Sequence, residues 1–221
     1  MDMVKKVCDM SMDTGPNTVN QIYWNHNNHY YGFLLSHVPV DCDAALDIGC
    51  GTGEFAGRLC AICKSVDAID SDSMAIETAR HFFAKYANIT FQCKKFGECE
   101  LPHNYYDYIS LIASLHHMDS RRSLEYAKNI LKPGGILAIL GLYKETAVFD
   151  YLHSLAAVPI DFMYRVVKHS SISESTETMV IIPPEETLKQ IRAMMNEILP
   201  RHVFRRHLFW RYSVLWKKPE G

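Results

Sequence analysis

The segment Leu46-Asp47-Ile48-Gly49-Cys50-Gly51-Thr52-Gly53-Glu54 restricts the possible folds more than any other part of the chain. An acid and three alternating glycines separate an apolar run, Ala44-Ala45-Leu46-Asp47-Ile48, from a helix-patterned run, Phe55 to Ile62. A buried strand, a turn without side chains and a helix make a place where backbone approaches a ligand closely. Gly51 to Ala56 fits the G-x-G-x-x-G/A dinucleotide pattern, and Asp70 closes the following strand, where an acid binds ribose hydroxyls.

Asp47 separates the cofactor classes that use such a turn. A carboxylate pointing into the pocket would repel a diphosphate and attract the ammonium of an amino acid. S-adenosylmethionine carries an ammonium and a ribose and no phosphate. Three more segments stand in order behind the glycine motif: Val66-Asp67-Ala68-Ile69-Asp70, then Tyr106 to Met118 with its Ser114-Leu115-His116-His117-Met118 end, then Leu131-Lys132-Pro133-Gly134-Gly135-Ile136-Leu137. On these motifs the chain resembles the class I S-adenosylmethionine-dependent methyltransferases from about Ala44 to the C-terminus. The Ser-Leu-His-His-Met and Leu-Lys-Pro-Gly-Gly segments resemble the small-molecule branch that includes the quinone-biosynthesis enzymes.

The resemblance implies an α/β, Rossmann-like fold: a mostly parallel seven-stranded sheet with an antiparallel C-terminal strand and helices on both faces. Strands are expected at 44–49, 65–70, 89–93, 108–113 and 136–141, with helices over 53–63, from a Ser73 N-cap to Tyr86, and over 120–131. Lys132-Pro133-Gly134-Gly135 reads as the stop and turn before strand five. Alternating strands and helices require parallel pairing with crossovers. A helix over 184–198 and strands over 201–207 and 209–217 would complete the sheet. With 221 residues, 48% of them hydrophobic, the chain reads as one domain: N-terminal lid 1–43, cofactor core 44–142, insertion 143–183 and C-terminal unit 184–221.

In an open α/β sheet ligands lie beyond the carboxyl ends of the strands. The expected cofactor residues are therefore Asp47, Gly49, Cys50, Gly51 and Gly53 after strand one, with Asp70 on the ribose hydroxyls and Ser71 and Met74 beside adenine. Related sequences carry an acid after strand three; here Lys95-Phe96 stands there, and lysine accepts no hydrogen bond. Adenine is then left to the Phe96 backbone and packing, or to Glu98. Ala113 ends strand four beside the sulfonium. His116 and His117 follow as candidate proton acceptors for the nucleophile, the alternative being that one or both pack under the next helix. The absence of an Asn/Asp-Pro-Pro-Tyr/Phe tetrapeptide there disfavours N6-adenine and N5-glutamine methylation.

Substrate contacts are expected from two variable segments. Ile22 to Leu35 carries aromatics and histidines at helical spacing, with Tyr23, His26, His29 and Tyr30 facing the acceptor; His26 and His29 alone are too few to hold a metal, and none is expected. The connection from Tyr143 to Pro183 is long for a compact domain, which points to function. Its stripe of Tyr151, Leu155, Phe162 and Met163 suits a cap over an apolar or aromatic acceptor, a core or dimer contact, or weak docking on a membrane surface.

Net charge of −2 argues against a surface that is a nucleic-acid footprint throughout. Arg201, Arg205, Arg206, Arg211, Lys217 and Lys218 do make the C-terminal part basic, which suits solvated strand edges or an anionic substrate or partner. Seven cysteines and no leader-like apolar start point to a reducing, cytoplasmic setting, and Cys60-Ala61-Ile62-Cys63 lacks the second pair that a zinc site needs. No apolar run is long enough to span a membrane. The expected function is methyl transfer from S-adenosylmethionine to a small-molecule O, N, S or C nucleophile; RNA methylation and a cofactor-binding scaffold subunit are the alternatives.

Overall fold

The computed structural model describes residues 25–98, 100–144, 183–208 and 210–220. A 3-10 turn at Asn28–Tyr30 leads into α1 (Tyr31–Leu35), followed by β1 (Ala44–Ile48), α2 (Glu54–Leu59), β2 (Ser65–Asp70), α3 (Ser73–Phe82), β3 (Ile89–Cys93) and β4 (Tyr106–Ile112). A second 3-10 turn, Leu115–His117, precedes α4 (Ser120–Ile130), β5 (Leu131–Leu142), α5 (Leu188–Ile198), β6 (Val203–Arg206) and β7 (Arg211–Lys217).

The strands form one sheet in the order β3-β2-β1-β4-β5-β7-β6. Pairing is parallel from β3 through β5, and β7 runs antiparallel to both β5 and β6. β7 alone therefore opposes the other strands, as expected. All five β1 residues are buried, the pattern of a central parallel strand covered on both faces. Alternation divides its side chains: Ala45 packs with Leu34, Phe55, Leu59, Ile76 and Ala79, while Leu46 and Ile48 pack with Leu124, Ile130, Ile191 and Met195. Helices α1, α2 and α3 thus cover one face and α4 and α5 the other. Burying each leucine-sized side chain contributes about 1.5–3 kcal/mol.

Several element ends differ from expectation, each for a local reason. Asp72, not Ser73, caps α3, its Oδ1 accepting from the amides of Met74 (2.9 Å) and Ala75 (3.2 Å). That helix ends at Phe82, and α2 ends at Leu59 because the chain must turn back for Lys64 N to reach Cys42 O (3.0 Å). The Lys132–Gly135 turn is a bulge inside β5: Tyr106 pairs with Leu131 but Tyr108 with Ile136, and Gly134 takes φ +78°. α5 starts at Leu188, where Thr187 and Gln190 form a reciprocal capping box. Of the expected N-terminal helix, the described part is helical only from Asn28 to Leu35; Tyr23 and residues 145–182 of the insertion, with its apolar stripe, lie outside the described residues.

Candidate active site

The β1–α2 turn assigns different work to its three glycines. Each has positive φ, but a Cβ on Gly49 would stand 2.3 Å from Ser114 Cβ, and one on Gly53 would stand 2.7 Å from Phe91 Cε1. Those two keep space for the protein's own side chains. A Cβ on Gly51 would meet nothing within 4 Å, so its freedom is directed outward, toward a ligand. The Cys50 thiol is buried, with its pKa pushed up by that burial and by Asp47 and Asp70, so it is a wall rather than a nucleophile.

Asp47 is 2% exposed beneath this turn. Burial lifts its carboxyl to about 7, opposed by a hydrogen bond from Ser110 and helped by the charge of Asp70. The Ser110 hydroxyl donates to Asp47 Oδ1 at 2.7 Å across the β1–β4 pair, where the two residues lie in register. The sequence alone gives Ser110 no role and Ser114 only a place in the stretch after strand four, although each fixes the motif. Ser114 donates to Ile48 O (2.8 Å) and fills the space that excludes a side chain at Gly49.

At the end of β2, Asp70 Oδ2 accepts from Gly51 N (2.8 Å) and Oδ1 from Asp72 N (2.9 Å). The carboxylate is thereby aimed along the turn, and each oxygen keeps further acceptor capacity for a hydroxyl. Ser71 is exposed and Met74 is 68% exposed, leaving an apolar side chain in water beside Asp70. Lys95 is exposed, whereas the Phe96 ring packs on Tyr126 at 5.1 Å and joins the α4-side core. Glu98, exposed on the same turn, donates its amide to Lys95 O (3.1 Å).

After β4 the chain passes through Ala113 at φ +51°, with Ala113 N donating to Leu140 O (2.7 Å). A non-glycine residue in that region is strained, and such strain concentrates at functional turns. His116 and His117 follow with ring centroids 4.0 Å apart. His117 is exposed; His116 is half-buried, and its Nδ1 is enclosed without a hydrogen-bond partner. Burial, then the neighbouring His117 and Arg211, press the His116 pKa down to about 4, so its ring is neutral near pH 7.

The start of β7 lies at the same sheet edge, with Arg211 in register with Leu142. Tyr143, buried just after β5, accepts from Arg206 Nε at 2.9 Å. Tyr30 donates to Leu208 O (3.0 Å), and Arg211 Nε donates to Asn27 Oδ1 (2.9 Å). Tyr31 and Asn28 engage Glu54 at the head of α2, and the Tyr31 ring lies tilted against Phe55 at 5.0 Å. The N-terminal segment is thus fastened both to the glycine turn and to the β6–β7 connection. His26 lies against Trp210 (6.0 Å) and adds to this fastening, while His29 lies against its chain neighbour Tyr30 (4.8 Å). Among the described residues no group of three or more His, Cys, Asp or Glu could hold a metal, and no helix is long and apolar enough to cross a membrane. The basic C-terminal residues do not share one patch. Lys217 pairs with Glu220 (2.8 Å), Lys218 Nζ donates to Leu131 O (2.7 Å), and Arg205 lies over Phe33 (5.6 Å).

A strand order with one antiparallel member, a buried acid under a glycine turn and a second acid ending β2 define a nucleoside-cofactor enzyme. Residues 45–135 match the family model described as a methyltransferase domain. Over 200 residues, 89% of this chain and 98% of the relative, the chain is 31% identical to an uncharacterized methyltransferase of Mycobacterium tuberculosis. N-methyltransferase NodS from Bradyrhizobium japonicum, in complex with S-adenosylhomocysteine, superposes with a TM-score of 0.61 at 14% identity, covering 98% of this chain and 97% of that one. An S-adenosylmethionine-dependent methyltransferase from Aquifex aeolicus gives 0.58 at 18% identity, with coverages of 85% and 88%.

The chain belongs to the class I S-adenosylmethionine-dependent methyltransferases, and its cofactor is S-adenosylmethionine. The residues present suit that group. The open side of Gly51 leaves room for backbone approach, and Asp70 offers two oriented acceptor oxygens.

Proposed function

We propose that the chain transfers the methyl group of S-adenosylmethionine to an O, N, S or C nucleophile of a small molecule. Asp47, Gly49, Cys50, Gly51 and Gly53 would form the methionine side of the cofactor site, Asp70, Ser71, Met74 and the Phe96 backbone the nucleoside side. Ala113 and the turn after it would face the reacting centre. The observation that carries the small-molecule reading is the double fastening of the N-terminal segment. Asn27 to Arg211 and Tyr30 to Leu208 close one side of the carboxyl edge, while Asn28 and Tyr31 hold the other side at Glu54. Such a roof suits an enclosed acceptor and crowds the approach of a nucleic acid.

In methyl transfer the protein contributes chiefly orientation and exclusion of water. The cofactor supplies an electrophilic methyl on sulfur. A neutral His116 can accept a hydrogen bond from the nucleophile through its unprotonated ring nitrogen and direct its lone pair, but a base with a pKa of about 4 holds a proton poorly at pH 7. His116 therefore orients, and the proton leaves to water or to the exposed His117. The chain is tested by incubating it with radiolabelled methyl donor and cell extract, then separating products by size and nuclease treatment. Label in the small-molecule fraction supports the reading; label that appears only in RNA or protein refutes it.

A further inference from the structure

We infer that Glu54 and Arg58 form a latch under Tyr31: it keeps the segment 25–31 near balance between a lifted and a seated position, and cofactor at the glycine turn shifts it to the seated one. This rests on the proposed cofactor site. The segment is built as a separate unit. The amides of His29 and Tyr30 donate inside it, to Asn25 O (3.3 Å) and Asn27 O (3.0 Å), and side chains fix it to the body. Tyr30 reaches Leu208, Asn27 meets Arg211, and Asn28 and Tyr31 engage Glu54. Just beyond it the chain is anchored: Leu34 and Leu35 are fully buried, and Leu34 O accepts from the Tyr108 hydroxyl at 3.1 Å. Gly32 separates the two parts, and a glycine absorbs the backbone rotation of a hinge with little steric cost.

The latch is joined to the cofactor turn by one peptide bond. Glu54 follows Gly53 directly, and Arg58, one helical turn on, places its guanidinium over the Tyr31 ring at 5.5 Å. The pair is poorly matched. Arg58 Nη2 stands 3.6 Å from Glu54 Oε1, beyond hydrogen-bond reach, and both that Oε1 and Arg58 Nε are enclosed without a hydrogen-bond partner. Burial raises the Glu54 pKa, opposed by the Arg58 charge and by hydrogen bonds from Asn28 and Tyr31. A seated Tyr31, buried and 5.0 Å from Phe55, therefore gains packing while shutting two polar atoms away from water. Lifting the ring returns both to solvent, so gain and cost oppose each other in the same movement. Burial, then the charges of Glu54 and Asp47, raise the Tyr31 pKa, which puts the ring within the field of both acids and beside the methionine side of the turn. A ligand there meets the ring only when the segment is seated, and that differential contact shifts the population.

The test is hydrogen exchange of the full chain, read by mass spectrometry with and without S-adenosylhomocysteine. In wild type the ligand should slow exchange across 25–31 at least about fivefold, while the anchored Leu34 and Leu35 change little. Replacing both charges, Glu54→Met together with Arg58→Met, removes the cost of seating, as apolar replacement of a buried ion pair does. The double variant should exchange slowly without ligand, lose most of the ligand effect and bind S-adenosylhomocysteine about threefold tighter or more by calorimetry. Glu54→Met alone strands the Arg58 charge and should do the reverse, with faster exchange and weaker binding. Loss of packing alone does not produce that change of sign. If the double variant does not fold, Tyr31→Phe decides: it removes a bond to Glu54 and keeps the ring, so exchange across 25–31 should speed up, and unchanged exchange there overturns the inference. So does a double variant with wild-type ligand dependence, or wild-type protein that binds S-adenosylhomocysteine without slowing at 25–31. Failure of wild-type protein to bind S-adenosylhomocysteine would instead overturn the cofactor site on which the latch rests.

Discussion

Replacing Gly49 and Gly51 by alanine, one at a time, should damage the protein in two different ways. Both residues have positive φ, +72° and +51°, so each alanine incurs about 1–2 kcal/mol for a left-handed conformation. At Gly49 the new methyl also meets Ser114 Cβ at 2.3 Å and its Oγ at 2.9 Å, and Ser114 is held by its bond to Ile48 O. Overpacking of that kind adds about 1–3 kcal/mol, for a total of about 2–5 kcal/mol. In a protein of this size each kcal/mol moves the melting temperature by about 2–4 °C. Gly49→Ala should therefore melt about 4–20 °C lower, while Gly51→Ala, whose methyl enters open space, should lose about 2–8 °C. Affinity for S-adenosylhomocysteine, read by calorimetry on folded protein, should rank the other way relative to stability: Gly51→Ala loses at least about tenfold because its methyl occupies the approach of the ligand. Equal melting temperatures for the two variants, or wild-type affinity in Gly51→Ala, would refute this division of labour.

Asp70→Ala should weaken S-adenosylhomocysteine by about 1.5–3 kcal/mol, the scale of a charge-assisted site, and unchanged affinity would remove Asp70 from it. Asp47 has a folded pKa of about 7 against an ordinary 3.8, so the folded state binds the extra proton. Its contribution to stability is therefore lost as pH rises from about 4 to about 7, an effect of up to about 4 kcal/mol. Asp47→Asn should accordingly gain stability over wild type at pH 8 but little at pH 4, as denaturant titrations at the two values would show. Ser110→Ala removes the hydrogen bond that opposes this shift and should weaken cofactor binding most near pH 7; a pH-independent effect would count against it. His116→Gln should lower kcat with little change in cofactor affinity, and the wild-type rate should show no limb near pH 6.5 from His116, because that ring is already neutral there.

The parts of the fold legible in the sequence are those written in local pattern. β2 and β3 end where expected because a charged or polar residue follows each apolar alternation, and Asp70 is recognisable because an acid closing a strand after a glycine turn has few other uses. Caps were less legible: Asp72 and Ser73 are both good capping residues, and only the backbone geometry assigns the role to Asp72. The glycines looked equivalent because the residues that distinguish them, Ser114 at Gly49 and Phe91 at Gly53, come from strands paired far along the chain. For the same reason nothing local marks Ser110, which register places opposite Asp47. The basic C-terminal residues show the limit most clearly. In sequence they form one run of charge, yet pairing puts Lys217 against Ile136 and Arg211 against Leu142, at opposite ends of the sheet. Only the second of these lies at the carboxyl edge, where its charge acts on His116 and its Nε meets Asn27. What a C-terminal arginine can touch is therefore set by strand direction rather than by composition, because β7 runs against its neighbour and carries its first residue to the carboxyl edge.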